Sequence, residues 1–275
     1  MALTNADFDL VRTMVRQRSG IVLDEGKAYL LEARLSGLAV REGFASVESL
    51  LANFRTQPSN GLETRVVEVM TTNETSFFRD IQPFEALRQL VVPDLLERRA
   101  REKRLSIWCA AASSGQEPYS LAMLLHEHFP NIVATWKMQI IGSDLSAEML
   151  DRARCGLYSQ VEVNRGLPAR LLVKFFEQRG LQWQLKDDIR RMVALRQVNL
   201  IESWPTLPPP DIVMLRNVLI YFDVEMKKTI LGKVRRLLRP DGYLFLGGAE
   251  TTMNLDDGFE RVSFNRGGCY RLRPA

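Results

Sequence analysis

The sequence predicts an all-α N-terminal domain followed by an α/β domain built on a parallel sheet, into which a small antiparallel β insertion is placed. Three observations predict this fold class. The first 70 residues show helical periodicity without a strand pattern. From residue 71 onward, short apolar strands alternate with helices, an order typical of a parallel sheet flanked by helices. Over about residues 158–197 this order is interrupted by short alternating segments, which favour an antiparallel insertion.

Four helices are expected in the N-terminal domain, residues 1–70. Apolar residues recur at helical spacing from Phe8 to Val15, and comparable patterns follow in the next three segments. The expected boundaries are Gly20 at the end of the first helix, Asp24 and Gly43 around the second, Ser46 before the third, and a Pro- and Gly-containing break at 57–61 before the fourth.

The second domain, residues 71–275, contains the expected strands and helices of the sheet. Parallel strands are expected at 105–109, 137–141, 211–215 and 243–246. Helices are expected at 81–103, with Pro93 as a kink or restart, at 117–129, after Ser146 and after Asp223. A terminal hairpin at 261–264 and 269–272 should add an antiparallel edge. The alternating residues Val193 and Leu195 are assigned to the insertion.

Composition and charge exclude several classes of function. The 275 residues carry 37 Lys and Arg against 33 Asp and Glu, a formal net charge of +4, so no nucleic-acid partner is expected. His126, His128 and three cysteines show no metal-ligand spacing, which disfavours a metal site and indicates free thiols in the cytoplasm. Asp7 and Asp9 disfavour a signal peptide, and no apolar run approaches the roughly 20 residues of a membrane span.

A loop of small residues, 110–116, joins the first parallel strand to the next helix and is a natural place for an adenosyl ligand, since ligands of open α/β sheets bind at the carboxyl ends of strands. It matches neither GxGxxG nor GxxxxGK[ST], which disfavours a nicotinamide dehydrogenase and a triphosphate site. Glu117 follows at the helix start. It could hold a cationic group such as an amino-acid ammonium, or it could simply favour the helix dipole.

Two further segments place polar residues at strand ends. Asp144 ends the second strand, where it could accept hydrogen bonds from ribose hydroxyls or cap the next helix, a role for which Ser146 competes. Residues 215–222 place Arg216, Asn217 and Tyr221 after the third strand, although Tyr221 could equally be a core aromatic residue. At the domain junction, residues 71–80 combine polar side chains with two phenylalanines, a pattern that a capped helix start would also explain.

Together these segments resemble one family. The stretches TTNETSFFRD (71–80), AAASSGQEPYSLAM (110–123), GSDLS (142–146) and LRNVLIYFD (215–223) are similar, in this order, to those of the chemotaxis receptor methyltransferases (CheR), which use S-adenosylmethionine. The resemblance implies a Rossmann-like methyltransferase domain with a three-stranded insertion, preceded by a helical domain that docks on the receptor. It also implies that S-adenosylhomocysteine is the product.

The resemblance further implies roles for individual residues. Arg79 and Tyr221 would flank the transferred methyl group and so form the catalytic pair. The residues implied to contact the cofactor are Asn73, Thr75 and Arg79 from the junction, Glu117 at the methionine ammonium, Asp144 at the ribose, Asn199 and Leu200 beside the adenine, and Arg216 and Asn217 in the pocket.

The implied substrate is a glutamate side chain on the cytoplasmic helical domain of a methyl-accepting chemoreceptor. Its carboxylate is already anionic at neutral pH, because an unperturbed Glu has a pKa of about 4.3, so no general base is required. Lys27 and Arg34 lie on one face of the expected second helix and are assigned to receptor docking, although a solvated face would show the same spacing. Family members that capture a receptor tail peptide at the insertion resemble one another in a longer, more Gly-rich turn, so the compact turn at 177–181 implies that this protein works without such a tether.

Two alternatives remain open at this point. The protein could methylate another protein or a small molecule with the same cofactor. It could instead be a non-enzymatic adaptor that senses the cofactor. A DNA methyltransferase is disfavoured, because Pro208-Pro209-Pro210-Asp211 lacks the Asn/Asp-Pro-Pro-Tyr arrangement of amino methylation.

Overall fold

A computed structural model describes residues 4–23, 28–56, 61–265 and 267–274. The chain divides into a smaller unit, Met1–Thr72 with Tyr221–Met226, and a larger unit, Asn73–Ile220 with Lys227–Ala275. Within the described ranges, every helix is too short or too polar to cross a membrane.

The smaller unit contains four helices: α1 (Asn5–Ser19), α2 (Ala28–Arg41), α3 (Val47–Thr56) and α4 (Leu62–Met70). Helix α1 begins with a capping box, in which the Thr4 hydroxyl accepts the Asp7 N–H at 3.2 Å and the Asp7 carboxylate accepts the Thr4 N–H at 3.1 Å. It ends at Gly20, whose φ of 73° lies in the left-handed region that favours glycine.

Other predicted boundaries of this unit are also confirmed where they are described. The Ser46 hydroxyl accepts the Ser49 N–H at 3.2 Å at the start of α3. Asp24 and residues 57–60 lie outside the described residues. Residues 221–226 belong to this unit because Ile21 forms a β-bridge with Phe222, and the Val22 N–H donates to the Tyr221 carbonyl at 2.9 Å.

The larger unit is organised around a seven-stranded sheet with the strand order β6-β2-β1-β7-β8-β10-β9. Its strands are β1 (Arg104–Ala110), β2 (Lys137–Asp144), β6 (Val193–Gln197), β7 (Ile212–Leu215), β8 (Tyr243–Leu246), β9 (Phe259–Phe264) and β10 (Gly267–Leu272). The first five are mutually parallel, and the β9–β10 hairpin adds an antiparallel edge, as predicted. The central strands β1 and β7 are almost wholly buried because helices cover both faces.

The helices of this unit include the four predicted ones, of which the first is divided, and four short helices that were not predicted. They are α5 (Ile81–Ala86), α6 (Val92–Arg98), α7 (Gln116–His128), α8 (Pro130–Thr135), α9 (Ala147–Cys155), α10 (Gln160–Asn164), α11 (Ala169–Phe175), α12 (Asp187–Arg190) and α13 (Val224–Leu237), the last of which begins in the smaller unit. The helices that were not predicted are α8, α10, α11 and α12. The helix expected over 81–103 is divided by a π-helical turn, Leu87–Val91, and ends at Arg98. Pro93 lies just after that turn, where its missing N–H removes a helical hydrogen bond.

The insertion is a three-stranded antiparallel sheet of β3 (Leu157–Ser159), β5 (Gln182–Leu185) and β4 (Phe176–Arg179), in that spatial order. The assignment of Val193 and Leu195 to this insertion is wrong. They belong to β6, which pairs in parallel with β2 at the edge of the large sheet. An edge strand buries one face, so its alternating pattern is the same as that of a strand in a small antiparallel sheet.

A buried ion pair joins the amino ends of the central strands. The Arg99 Nε donates to Asp211 at 2.8 Å, and the other Asp211 oxygen accepts the Ser106 N–H of β1 at 2.8 Å. Arg99 also donates to Asp241 at 2.8 Å and thereby keeps the pKa of that carboxyl below its usual value. The candidate site lies at the opposite edge of the sheet, where the carboxyl ends of the parallel strands meet.

Candidate functional site

The loop between β1 and α7 is shaped by three residues in the left-handed region. Ala111, Ser113 and Gly115 have φ values of 57°, 49° and 92°. A Cβ on Gly115 would lie 2.9 Å from both the Ala153 Cβ and the Tyr119 ring, so only glycine fits there. The loop therefore turns tightly at the carboxyl end of β1 and presents only small side chains.

Asp144 fastens this loop to the end of β2. One carboxylate oxygen accepts the Ser113 N–H at 2.7 Å and the other accepts the Ser146 N–H at 2.9 Å. The capping of α9 is performed by Ser146, whose hydroxyl accepts the Met149 N–H at 3.3 Å. Because each carboxylate oxygen has two lone pairs, Asp144 can still accept a hydrogen bond from a ligand hydroxyl.

Glu117 and Arg216 form an ion pair at the ends of α7 and β7. The Arg216 Nη1 donates to Glu117 at 2.7 Å, and its Nη2 donates to Asp80 at 3.0 Å and to the Arg79 carbonyl at 2.9 Å. Burial raises the pKa of the Glu117 carboxyl, and the Arg216 charge opposes that rise. The Arg216 Nε is buried and has no hydrogen-bond partner among the described residues.

The junction segment is held to the larger unit by its aromatic residues. Phe77 is fully buried and packs edge-on against Tyr158 at a ring distance of 5.0 Å, and the Phe78 N–H donates to the Ser120 hydroxyl at 2.9 Å. These anchors explain the paired phenylalanines. Arg79 lies between two residues with left-handed backbone, Phe78 and Asp80, and donates to the Glu74 carbonyl at 3.0 Å.

The remaining junction residues lie beside the small-residue loop. The Asn73 carbonyl accepts the Ser113 hydroxyl at 2.9 Å, which places Asn73 next to the loop at the end of β1. Thr75 is half-buried two residues farther along. The structure therefore brings the junction, the loop, Asp144, Glu117 and Arg216 to one edge of the sheet.

Asn199 and Leu200 lie in the turn after β6. The last residue of β2, Asp144, pairs in register with Gln197, so this turn follows directly beside the Asp144 carboxylate. The Asn199 side-chain Nδ2 donates to the Glu202 carboxylate at 3.0 Å, and the Asn199 side-chain Oδ1 accepts the Ile201 N–H at 3.3 Å. The Leu200 side chain is buried.

One residue of this edge escaped the sequence analysis. The Glu250 carboxylate accepts the N–H groups of Asn217 at 2.8 Å, Val218 at 2.9 Å, Ile220 at 3.3 Å and Gly247 at 2.6 Å. It thereby holds Asn217 at a φ of 57°. The only signal in the sequence is an acidic residue after Gly247-Gly248 at the end of a strand, which by itself is also typical of a surface turn.

Three predicted site residues belong to the smaller unit. The Arg34 guanidinium donates to the carbonyls of Met70 at 2.6 Å and Thr71 at 3.1 Å, so it secures the end of α4. Tyr221 and Arg34 both line a cavity of about 100 Å³, together with Leu31. Lys27 lies outside the described residues.

The hydrogen-bonding groups at this edge of the sheet suit a ligand that carries hydroxyls, a cationic group and a carboxylate. Asp144 can accept hydrogen bonds from the hydroxyls of a ligand, and the Glu117 carboxylate, which is paired with Arg216, can accept them from a cationic group of the ligand. The Arg216 Nε, which has no partner among the described residues, can donate to a carboxylate of the ligand. Over the described ranges, no three His, Cys, Asp or Glu residues form a cluster that could hold a metal ion. These are the groups that an S-adenosylmethionine molecule would meet, and the residues present fit it.

Two family models cover nearly the whole chain. The model of the CheR methyltransferase, all-alpha domain, matches residues 6–71, and that of the CheR methyltransferase, SAM binding domain, matches residues 73–267. The chain belongs to the CheR methyltransferase family. It is thus an S-adenosylmethionine-dependent methyltransferase, and the predicted family, fold class, enzyme type and cofactor are confirmed.

Named relatives match this CheR methyltransferase over its full length. It is 42% identical over 276 residues to chemotaxis protein methyltransferase 1 of Pseudomonas aeruginosa, covering 99% of this chain and 100% of the relative. Chemotaxis protein methyltransferase Cher2 of Pseudomonas putida is 40% identical over the same shares. A solved glycopeptide N-methyltransferase, MtfA with S-adenosyl-L-methionine, is 16% identical over 56% of this chain and 48% of its own, with a TM-score of 0.34.

Proposed function

We propose that this CheR methyltransferase forms methyl esters on glutamate side chains in the cytoplasmic helical domain of chemoreceptors. The observation that carries the proposal is the group of Asp144, Glu117 and Arg216 around the small-residue loop, in a chain whose full-length relatives are named chemotaxis protein methyltransferases. The enzyme acts in the cytoplasm, where the receptor domains that signal are located.

Each site residue contacts a different part of the cofactor, which supplies an electrophilic methyl group when bound. Asp144 accepts hydrogen bonds from the ribose hydroxyls, and Glu117 holds the methionine ammonium beside Arg216. Asn73, Thr75 and Asn217 complete the polar wall, and Asn199 and Leu200 border the adenine. Each of these assignments is supported by the position of the residue at the carboxyl edge of the sheet.

The reaction requires no general base from this chain. The attacking glutamate is already ionised at neutral pH. The histidines are remote, because His126 lies nine residues after Glu117 on α7, a rise of roughly 13 Å along the helix. Opposite charges are neutralised in the transfer, so the chain contributes alignment and exclusion of water. We assign Arg79 to orienting a carboxylate and Tyr221 to positioning the reacting groups through its hydroxyl.

The domain roles follow from the same proposal. Residues 1–70 form the helical domain that docks on the receptor, with Lys27 and Arg34 on its second helix. Residues 71–275 form the methyltransferase domain, with the three-stranded insertion formed by β3, β4 and β5. Only Gly180 and Leu181 separate β4 from β5, and this short turn supports action without a tethered receptor tail.

The decisive experiment is transfer of labelled methyl from S-adenosylmethionine to purified chemoreceptor cytoplasmic domains. We expect incorporation that is released as methanol by mild base, as a carboxyl ester requires, and none into a receptor whose methylated glutamates are alanine. Tyr221→Phe should lower kcat at least tenfold while leaving the Kd for S-adenosylhomocysteine near that of the wild type. Base-stable label, or no label on any receptor domain, would contradict the proposal.

A further inference from the structure

The turn after β6 is held by a lysine from a distant helix. Lys233 of α13 donates through its Nζ to three consecutive carbonyls, those of Leu200 at 3.1 Å, Ile201 at 2.9 Å and Glu202 at 2.7 Å. An ammonium has three N–H groups, so this contact uses all of its donors. The side chain is partly buried, and burial lowers the pKa of Lys233.

Trp204 contacts the same turn. Its indole N–H donates to the Leu200 carbonyl at 3.1 Å, and its ring lies 5.4 Å from the Lys233 Nζ. The Trp204 ring packs edge-on against Trp108 of β1 at 4.8 Å, and the Trp108 indole N–H donates to the Ser143 hydroxyl of β2 at 2.9 Å. The turn is thereby tied to α13 and to the two strands beside Asp144.

These contacts determine which backbone groups the turn can offer to a ligand. The Asn199 carbonyl accepts the Glu202 N–H at 3.3 Å, so every carbonyl of residues 199–202 already accepts a hydrogen bond. The Leu200 N–H, by contrast, has no acceptor anywhere in the described part of the chain. The turn therefore presents one N–H donor without an acceptor, whereas each of its carbonyls already accepts at least one hydrogen bond.

We propose that Lys233, with Trp204, is a positioning residue that fixes the 199–202 turn as a donor-bearing wall for the purine base of the cofactor. Lys233 acts through the backbone and does not itself contact the reacting atoms. The inference rests on the proposed roles of Asn199 and Leu200. A wall of this kind favours a purine whose ring nitrogen is an acceptor, as N1 of adenine is, over hypoxanthine, in which N1 carries a proton.

The test is calorimetric binding of S-adenosylhomocysteine and S-inosylhomocysteine, two ligands that differ only in the base. We expect the wild type to prefer the adenosyl ligand by at least about tenfold, the cost of an unmatched polar contact. Lys233→Met should weaken adenosyl binding by about tenfold and inosyl binding far less, so that the preference largely disappears. Lys228→Met, which removes a charge from an exposed position on the same helix, should change neither affinity.

Two further variants protect the test against misfolding. Lys233→Arg keeps a charged donor and should recover most of the preference. Trp204→Phe keeps an aromatic ring, though a smaller one, but removes the N–H donor to the Leu200 carbonyl, and should reduce the preference by about threefold. The proposal is overturned if the wild type binds both ligands equally, if Lys233→Met binds as the wild type does, or if it weakens both ligands by the same factor. Receptor methylation by the wild type is measured separately, and its absence would refute the proposed function instead.

Discussion

Glu250 offers the sharpest test of how the carboxyl edge of the sheet is assembled. Its two carboxylate oxygens accept four backbone N–H groups, two each. In Glu250→Gln one oxygen is replaced by an amide nitrogen, which is itself a donor and faces two N–H groups. The shorter contacts, to Asn217 and Gly247, should retain the remaining oxygen, so those of Val218 and Ile220 are lost.

The magnitude follows from those two contacts. A hydrogen bond to a charged acceptor contributes about 1.5–3 kcal/mol. The Val218 contact at 2.9 Å should count in full and the Ile220 contact at 3.3 Å for much less, so we expect a loss of about 2–3 kcal/mol. For a domain of this size, that loss lowers the Tm by roughly 4–10 °C.

The assay is calorimetric unfolding together with S-adenosylhomocysteine binding. Because Val218 directly follows Asn217, loss of the Val218 contact should loosen the left-handed backbone at Asn217, and the variant should also bind the ligand several-fold more weakly at a temperature where it is folded. Glu97→Gln, at an exposed position of α6, is the matched control and should leave both quantities unchanged. A Glu250→Gln Tm within 1 °C of the wild type would refute the reasoning.

Three further changes test other parts of the fold. Asp211→Ala leaves Arg99 without its most buried partner and should cost about 3–5 kcal/mol of unfolding free energy, whereas an unchanged urea midpoint would mean that the pair is dispensable. Gly166→Ala should destabilise the protein by more than about 2 kcal/mol, because its Cβ would lie 2.1 Å from the Phe77 carbonyl oxygen at a φ of 91°, and near-wild-type stability would contradict this close approach. Because the pKa of Asp241 is lowered in the folded protein, its contribution to stability is full above about pH 5 and is lost as the pH falls through and below the ordinary value of 3.8. Asp241→Asn should therefore make the free energy of unfolding less dependent on pH in the acid range. An unchanged acid dependence would argue against the ion pair.

Local signals in the sequence were sufficient where a residue acts within its own element. Gly20 ends α1 and Ser146 caps α9, as their types and positions predicted. The small-residue loop after β1 was also predictable, because small side chains in a strand-to-helix turn have a direct steric meaning. Periodicity failed for β6, since alternation shows that one face is buried and not which sheet buries it.

Side chains that act on a distant backbone were not predictable. Glu250 holds residues about 30 positions earlier, and Lys233 holds a turn a similar distance away. The helical spacing of Arg34 suggested a docking surface, and it gave no sign that the guanidinium donates to the carbonyls at the end of α4. In each case the side chain is hydrogen-bonded to backbone carbonyl or N–H groups. Nearly every residue carries these groups, so the sequence does not indicate which of them will be contacted.

The sequence by itself determined the helical first domain, the parallel sheet and the small-residue loop with its neighbouring acids, because these depend on periodicity, capping and steric size over a few residues. The family followed from the resemblance of four sequence motifs. Only the tertiary structure decided which sheet receives β6, that Glu117 is paired with Arg216, and that Glu250 and Lys233 hold the loops of the sheet edge. Those features depend on groups brought together by folding, and their partners are backbone atoms or residues tens to about a hundred positions away.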